Sequence, residues 1–286
     1  MADGQSLTAV SATLRLLRLS AFCPFFFSSG ANRYAHRVAT VMDDAICIRV
    51  WDWSETSQTV SLFCRSLGVV RGLAKGSKRQ DARFSGGYEL FTRGQAGVLI
   101  KNHDSLATLT AWDLSEIFLG VRKDLARFHV AMAMLDLTHH MIRDHDPHEA
   151  MFDAMVKSGR RLADDGKAVP AAALLQFLWI TLVECGYRPD LTRDVRGECE
   201  LEAQSVKVFV PRLGGFSSRL EAGEDAWRVR AQTVELLRQL DAGLIENADG
   251  DAMTRAVALL AACVREVLGQ PVVSLDSAVL ELRKRS

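Results

Sequence analysis

The chain has 286 residues, 48% hydrophobic and 24% charged, with Lys plus Arg and Asp plus Glu at 35 each. That length and balance suit one or two globular domains with a real core. They exclude a globally basic nucleic-acid coat, so any polyanion site has to be a local patch.

Residues 1–41 carry several Arg, many Ser and Ala, and no acid after Asp3. The expectation is a leader translated from an upstream start or a disordered extension, because the domain pattern begins at Met42. "LSAFCPFFFSSGA" also has the look of a signal-peptide core, and the whole segment that of a transit peptide. Beyond this segment nothing reaches the roughly 18 unbroken apolar residues of a membrane span. The six cysteines, Cys23, Cys47, Cys64, Cys185, Cys199 and Cys263, are scattered, with no CxxC pair. Reduced thiols in apolar runs act as small hydrophobes, which fits a cytosolic, reducing compartment.

From Met42 to about Phe118 the pattern is strand-like. The runs are 45–53, 58–66, 67–76, 88–94, 96–102 and 106–114. Five or six short strands with Gly and polar turns predict a small all-β barrel or sandwich. After Gly120 the period becomes helical. Helices are expected over 122–144, 148–164, 171–186, 226–243 and 251–269, with 278–286 a short basic helix or frayed end. The third is apolar nearly all round and reads as the buried central helix. Residues 187–223 lose regular pattern, apart from a strand-like 205–210.

The stretch "GLAKGSKRQDARFSGGYELF" (72–91) concentrates positive charge in a neutral chain. Between Arg65 and Arg83 six basic residues, Arg65, Arg71, Lys75, Lys78, Arg79 and Arg83, face one acid, Asp81. A P-loop is excluded, because Gly72 and Gly76 are one residue too close and no helix follows. Trp51, Trp53, Phe84, Tyr88 and Phe91 lie nearby. Small barrels bind oligonucleotides with cations along the backbone and aromatics under bases. Trp51 is one stacking candidate, sharing an alternating face with Cys47 and Arg49. An ordinary solvated loop is the alternative.

Further on, "THHMIRDHDPHE" (138–149) crowds His139, His140, Asp144, His145, Asp146, His148 and Glu149 together. A helical metal-dependent phosphohydrolase is one reading. The plainer one is a helix C-terminus capped by protonated imidazoles, with Asp146-Pro147 breaking the chain. No nucleophile elbow or spaced carboxylate pair argues for catalysis.

The series Arg49, Trp53, Ser54, Glu55, Thr56, Leu62, Phe63, Ala74-Lys75-Gly76, Arg83 and Phe84 resembles the opening of the RecO family of bacterial recombination mediators. "TLTAWDLSEIFLGVRKDLARF" (108–128) is similar to that family's join between barrel and helices. "LLQFLWITLVECGYRPDL" (174–191) is similar to its central helix and the Gly-Tyr-x-Pro-x-Leu that ends it. The resemblance covers about residues 42–275. It implies an OB-fold barrel, a helical domain, in many members a zinc knuckle, and no catalysis on a small molecule. It also implies binding of single- and double-stranded DNA and annealing of complementary strands. The implied partners are RecR, the tail of single-stranded-DNA-binding protein (SSB) and, indirectly, RecA.

This chain departs from the family at the knuckle. Residues 192–219 keep only Cys199, hold no His, and offer Ser217 and Ser218 where a second Cys pair is expected. Structural zinc takes four Cys or His ligands, so no metal or other cofactor is predicted. The sequence predicts an α+β protein: leader 1–41, OB-fold barrel 42–120, and helical domain 121–286 with a degenerate insert at about 192–222. The predicted DNA contacts are Lys75, Lys78, Arg79 and Arg83, then Arg71 and Arg49. The predicted location is cytoplasmic and nucleoid-associated, with no membrane contact. A scaffold that keeps this fold without DNA binding is the further alternative.

Overall fold

The structure is a computed structural model. It describes residues 40–286 except 80–82, 102–104, 167, 198–199, 202–206, 220, 222–224, 245–248 and 286. Residues 1–39 of the expected leader, Cys23, Asp81 and Cys199 therefore lie outside the described residues, whereas Val41, placed in the leader by the sequence reading, already belongs to the first strand.

Five strands close a barrel in the order β1-β2-β3-β5-β4: β1 (Val41–Asp52), β2 (Gln58–Cys64), β3 (Gly68–Ala74), β4 (Thr92–Leu99) and β5 (Ala107–Ile117). Only the β3–β5 closure is parallel. The fold class expected from the sequence, an OB-like barrel followed by helices, is what the chain adopts. Residues 88–94 and 96–102, read as two strands, contribute to one, β4. The reason is local: Tyr88 plugs the barrel and Phe91 takes φ +55°, so 88–91 is a turn. The barrel interior holds Ala45, Cys47, Val60, Leu62, Val70, Val98, Leu109 and Trp112.

β1 does not alternate strictly. A bulge between Cys47 and Arg49 adds a residue against β2. A bulge shifts the side-chain phase by one. Ala45 and Cys47 therefore point inward before it and Val50 inward after it. Trp51 consequently shares an outward face with Arg49 but not with Cys47, a correction to the alternation expected from the sequence.

The helices follow a 3-10 turn at Leu119–Arg122. They are α1 (Leu125–Met141), α2 (Glu149–Arg161), α3 (Val169–Glu184), α4 (Ala231–Asp241), α5 (Gly250–Leu268) and α6 (Val273–Arg283). Asp124 caps α1 by accepting from Arg127 N at 3.0 Å, and Asp249 caps α5 by accepting from Ala252 N at 3.2 Å; a carboxylate there satisfies an orphan helix N–H. Gly269 ends α5 in the left-handed region. As its composition predicts, α3 is central: Leu174, Leu175, Phe177, Leu178 and Leu182 are all fully buried. The C-terminal helix begins at Val273 rather than Ala278, and it buries Leu275, Ala278 and Leu282.

The insert extends beyond the one strand-like run read at 205–210. β6 (Asp190–Asp194), β7 (Lys207–Val210), β8 (Gly215–Ser217) and β9 (Trp227–Val229) form a sheet in the order β6-β8-β7-β9. Residues 226–230 were expected in a helix, but Trp227–Val229 pairs with β7 and α4 starts only at Ala231.

The outer barrel wall and the helices share one core. Ile46, Ile48, Phe63, Val69 and Phe91 are buried with Met151, Phe152 and the centre of α3. Phe63 meets Phe152 at 5.6 Å between ring centroids, and Phe91 meets Phe118 at 4.7 Å. Backbone contacts seal the join. Val69 bridges Asp144, and His145 N donates to the Val69 carbonyl at 3.0 Å. Gly68 permits this approach: it has φ +69°, and a Cβ there would fall 2.4 Å from the Asp146 carbonyl oxygen.

Candidate nucleic-acid interface

The β1–β2 turn closes on the Ser57 carbonyl, which accepts from Trp53 N at 2.9 Å and Ser54 N at 3.2 Å. The loop leaving β3 is tied to that turn. Lys78 N donates to the Thr56 carbonyl at 3.1 Å, and Gly76 N donates to Ser57 Oγ at 3.1 Å. Beneath them lies the buried amide of Gln58. Its Oε1 accepts from Ser77 Oγ at 2.9 Å and from Tyr88 N at 3.0 Å, while its Nε2 donates to the Tyr88 carbonyl at 3.2 Å. One side chain thus joins β2 to both ends of the loop. Buried polar groups satisfied in this way fix a single geometry.

Between the turn and the loop lies an open cleft of about 320 Å³, with Trp53, Lys75 and Arg79 on its walls and Thr56, Ser57 and Gly76 between them. Trp53 is 65% exposed. Lys75 and Arg79 are exposed, and neither side chain makes an ion pair or hydrogen bond among the described residues. Of the predicted contacts, the fold therefore brings Lys75 and Arg79 together. Lys78 flanks them, but its ammonium pairs with Asp52 at 2.5 Å. Glu55 lies exposed in the same turn. Arg83 is exposed further along the loop, where its carbonyl accepts from Trp112 N at 2.7 Å on β5.

Arg49 and Arg71 sit elsewhere, side by side across β2 through Ser61 and facing the helices. Arg49 pairs with Asp136 of α1 at 2.6 Å and Arg71 with Asp144 at 2.6 Å. Arg65 joins them, contacting Glu149 at 3.1 Å and Asp153 at 2.9 Å on α2. Phe84, Tyr88 and Phe91, read from the sequence as neighbours for stacking, are at most 5% exposed. Phe84 and Tyr88 plug the barrel and Phe91 packs on the helices. Among these aromatics Trp51 and Trp53 remain accessible, at 48% and 65%.

The histidine-rich segment does not converge. His139 and His140 lie in the last turn of α1, His145 adopts φ +61° in the following loop, and His148 begins α2 between Asp146 and Glu184. Among the described residues no three His, Cys, Asp or Glu side chains gather as a metal set. Burial, and then the nearby Arg49 guanidinium, hold His139 below the usual imidazole range. His139 and His140 thus stand at the helix C-terminus where the sequence reading put them.

Two features escaped the sequence reading. In the insert, Asp194 accepts from Ser218 N at 2.8 Å, Ser218 Oγ at 2.7 Å and Arg196 N at 2.9 Å. Burial acts to raise its pKa, but these hydrogen bonds outweigh it and hold the carboxyl at about 2. The second feature is a pocket of about 560 Å³ between β9, α5 and α6. Its floor includes Leu259, Ala262 and Val279, and Arg228, Arg230 and Arg283 surround it. Those three guanidiniums have no ion pair among the described residues. The alternation in "WRVR" is the signal that could have revealed it.

Residues 38–118 match the family described as Recombination protein O N terminal, and residues 122–276 the one described as Recombination protein O C terminal. A DNA repair protein RecO from Rhodopirellula baltica is 32% identical over 149 residues, 52% of this chain and 54% of the relative. One from Halalkalibacterium halodurans is 25% identical over 196 residues, 68% of this chain and 75% of the relative. One from Symbiobacterium thermophilum is 29% identical over 208 residues, 72% and 81% of the two chains.

Proposed function

We propose that this chain, which belongs to the RecO family of DNA repair proteins, works without covalent catalysis, by binding single- and double-stranded DNA and annealing complementary strands. The observation that carries this reading is the barrel-rim cleft, where the exposed Lys75 and Arg79, without an ion pair among the described residues, stand beside Trp53. Cations held on a rigid loop neutralise phosphates, and neutralised strands repel each other less, so pairing is favoured without base reading. Lys78 and Arg83 extend the basic surface along the loop. Arg49 and Arg71 would take part only by exchanging their present carboxylate partners for phosphate.

In this reading the protein is cytoplasmic and helps load RecA onto SSB-coated DNA together with RecR. The Arg-rimmed pocket of the helical region suits the SSB tail, because an acidic peptide with an apolar end matches guanidiniums around an aliphatic floor. The reading includes no metal. Ser217 is fully buried, and Ser218 is held by Asp194, which puts hydroxyls bound to a carboxylate where a zinc knuckle needs thiolates. Among the described residues no helix is long and apolar enough to cross a membrane.

The test is an annealing assay with two complementary labelled oligonucleotides. The chain should accelerate pairing, and the acceleration should fade as salt rises. It should be lost in a folded Lys75→Ala/Lys78→Ala/Arg79→Ala/Arg83→Ala variant. A wild-type chain that leaves the pairing rate unchanged at low salt would contradict annealing and leave a RecO-fold scaffold as the better account.

A further inference from the structure

We infer that the rim cleft is a base-stacking site: the indole of Trp53 receives an unpaired base while Lys75 and Arg79 hold the flanking phosphates, so the barrel prefers single strands to duplex.

A tryptophan is among the costliest side chains to leave in water. Trp53 is nevertheless 65% exposed, and it makes no ring contact with another aromatic among the described residues. It is not on a floppy tip. Its backbone N–H donates to the Ser57 carbonyl, and Ser57 Oγ in turn accepts from Gly76 N. Lys78 N then locks the opposite lip to Thr56. Gly76, at φ +74°, lets the chain turn there, and the Arg79 side chain lies back over it. The indole, the ammonium and the guanidinium are therefore presented together by a pre-tied clasp. That is a stacking platform flanked by backbone cations.

The placement on the barrel is consistent with this use. Barrels of this type engage oligonucleotides with the face of strands 2 and 3 and with the loop between strands 1 and 2, and Trp53 is in that loop. Behind it the outward row Trp51, Thr59 and Leu73 crosses β1, β2 and β3. Trp51 stands 48% exposed on that row, a second ring over which a strand can continue. Stacking needs an unpaired π-face, which a duplex hides, whereas the two cations serve either form. The cleft is lined by backbone and hydroxyl groups besides the ring and cations. It lacks the deep aliphatic socket that a protein hot spot fills, so a base is the favoured occupant.

The experiment compares a labelled oligo(dT) strand with a blunt duplex, using the full chain and its Trp53→Ala and Trp53→Phe variants. Trp53→Ala should weaken single-strand binding roughly ten-fold, as lost stacking does. It should change duplex binding by less than about two-fold and leave the salt slope intact, because no phosphate contact is removed. Trp53→Phe should restore most of the affinity, since a phenyl ring still stacks. It should also remove the largest part of the tryptophan fluorescence quenching seen with oligo(dT). Equal losses on both DNA forms, an altered slope, quenching that persists in Trp53→Phe, or no loss at all would overturn the inference. It rests on the DNA-binding reading above. A wild type that binds neither oligonucleotide sinks both, whereas a wild type that binds both strands equally, unchanged by Trp53→Ala, sinks only this one.

Discussion

The arginines of β1 to β4 and the cations of the β3–β4 loop are the same kinds of residue, only a few positions apart, yet they have opposite circumstances. Arg49, Arg65, Arg71 and Arg93 each face a carboxylate, from Asp44, Asp136, Asp144, Glu116 or Asp153. Lys75 and Arg79 face none among the described residues. The difference is positional. The first group lies on the wall that packs against the helices, where carboxylates of the helical region or of β1 and β5 come within reach. The second lies at the open rim, where water and counterions suffice. Charge count alone does not separate the two groups; the ion pairs formed among the described residues do.

The comparison breaks most severely at Gly68, which allows the junction to close. Gly68→Ala puts a Cβ into the Asp146 backbone in a left-handed conformation. It is expected to lower the unfolding free energy by about 3 kcal/mol in urea titration. A loss within about 0.5 kcal/mol, the range of ordinary surface changes, would mean that the barrel and the 142–147 loop are not clamped as described.

A smaller effect is expected from Arg160, which holds Glu116 at 2.8 Å from the helix side while Arg93 holds it from the barrel. The hydrogen bond from Arg160 is the main force keeping the Glu116 carboxyl below its ordinary 4.5; burial opposes it and Arg93 assists. A lowered folded-state pKa contributes stability that is present above the ordinary value and lost as pH falls through the folded one. Arg160→Ala should therefore destabilise the chain by about 0.5 kcal/mol near neutrality. The gap from wild type should narrow steadily as pH falls below the ordinary 4.5. A gap that is constant or widens toward acid would show that the pair does not act through ionised Glu116.

Much of this architecture was legible in the sequence, and what was missed has identifiable physical causes. The barrel and the central helix α3 were readable because their hydrophobic runs span several periods. The basic loop was readable as charge, but its aromatics were not separable: Phe84 and Tyr88 plug the barrel, whereas Trp53 faces water. The closure that distinguishes them runs through Gln58, 30 residues from Tyr88. The bulge after Cys47 reversed the expected facing of β1, because one extra residue carries no compositional mark. Of the insert strands β7 registered, in the strand-like run 205–210, whereas the other three are three to five residues long, too short for alternation to show. Arg49 and Arg71 looked like phosphate ligands because their acids come from α1 and the loop after it, 87 and 73 positions along the chain.

The central claim is that the rim cations Lys75 and Arg79, without an ion pair among the described residues, hold DNA, and not the paired junction arginines. Fluorescence anisotropy of a labelled single strand across a salt series tests it, comparing wild type with a folded Lys75→Ala/Arg79→Ala variant. Each lost phosphate contact on a single strand should flatten the log–log salt slope by about 0.7, so the pair should flatten it by about 1.4 and weaken binding. An unchanged slope and affinity would contradict the account and move the DNA site off the barrel rim.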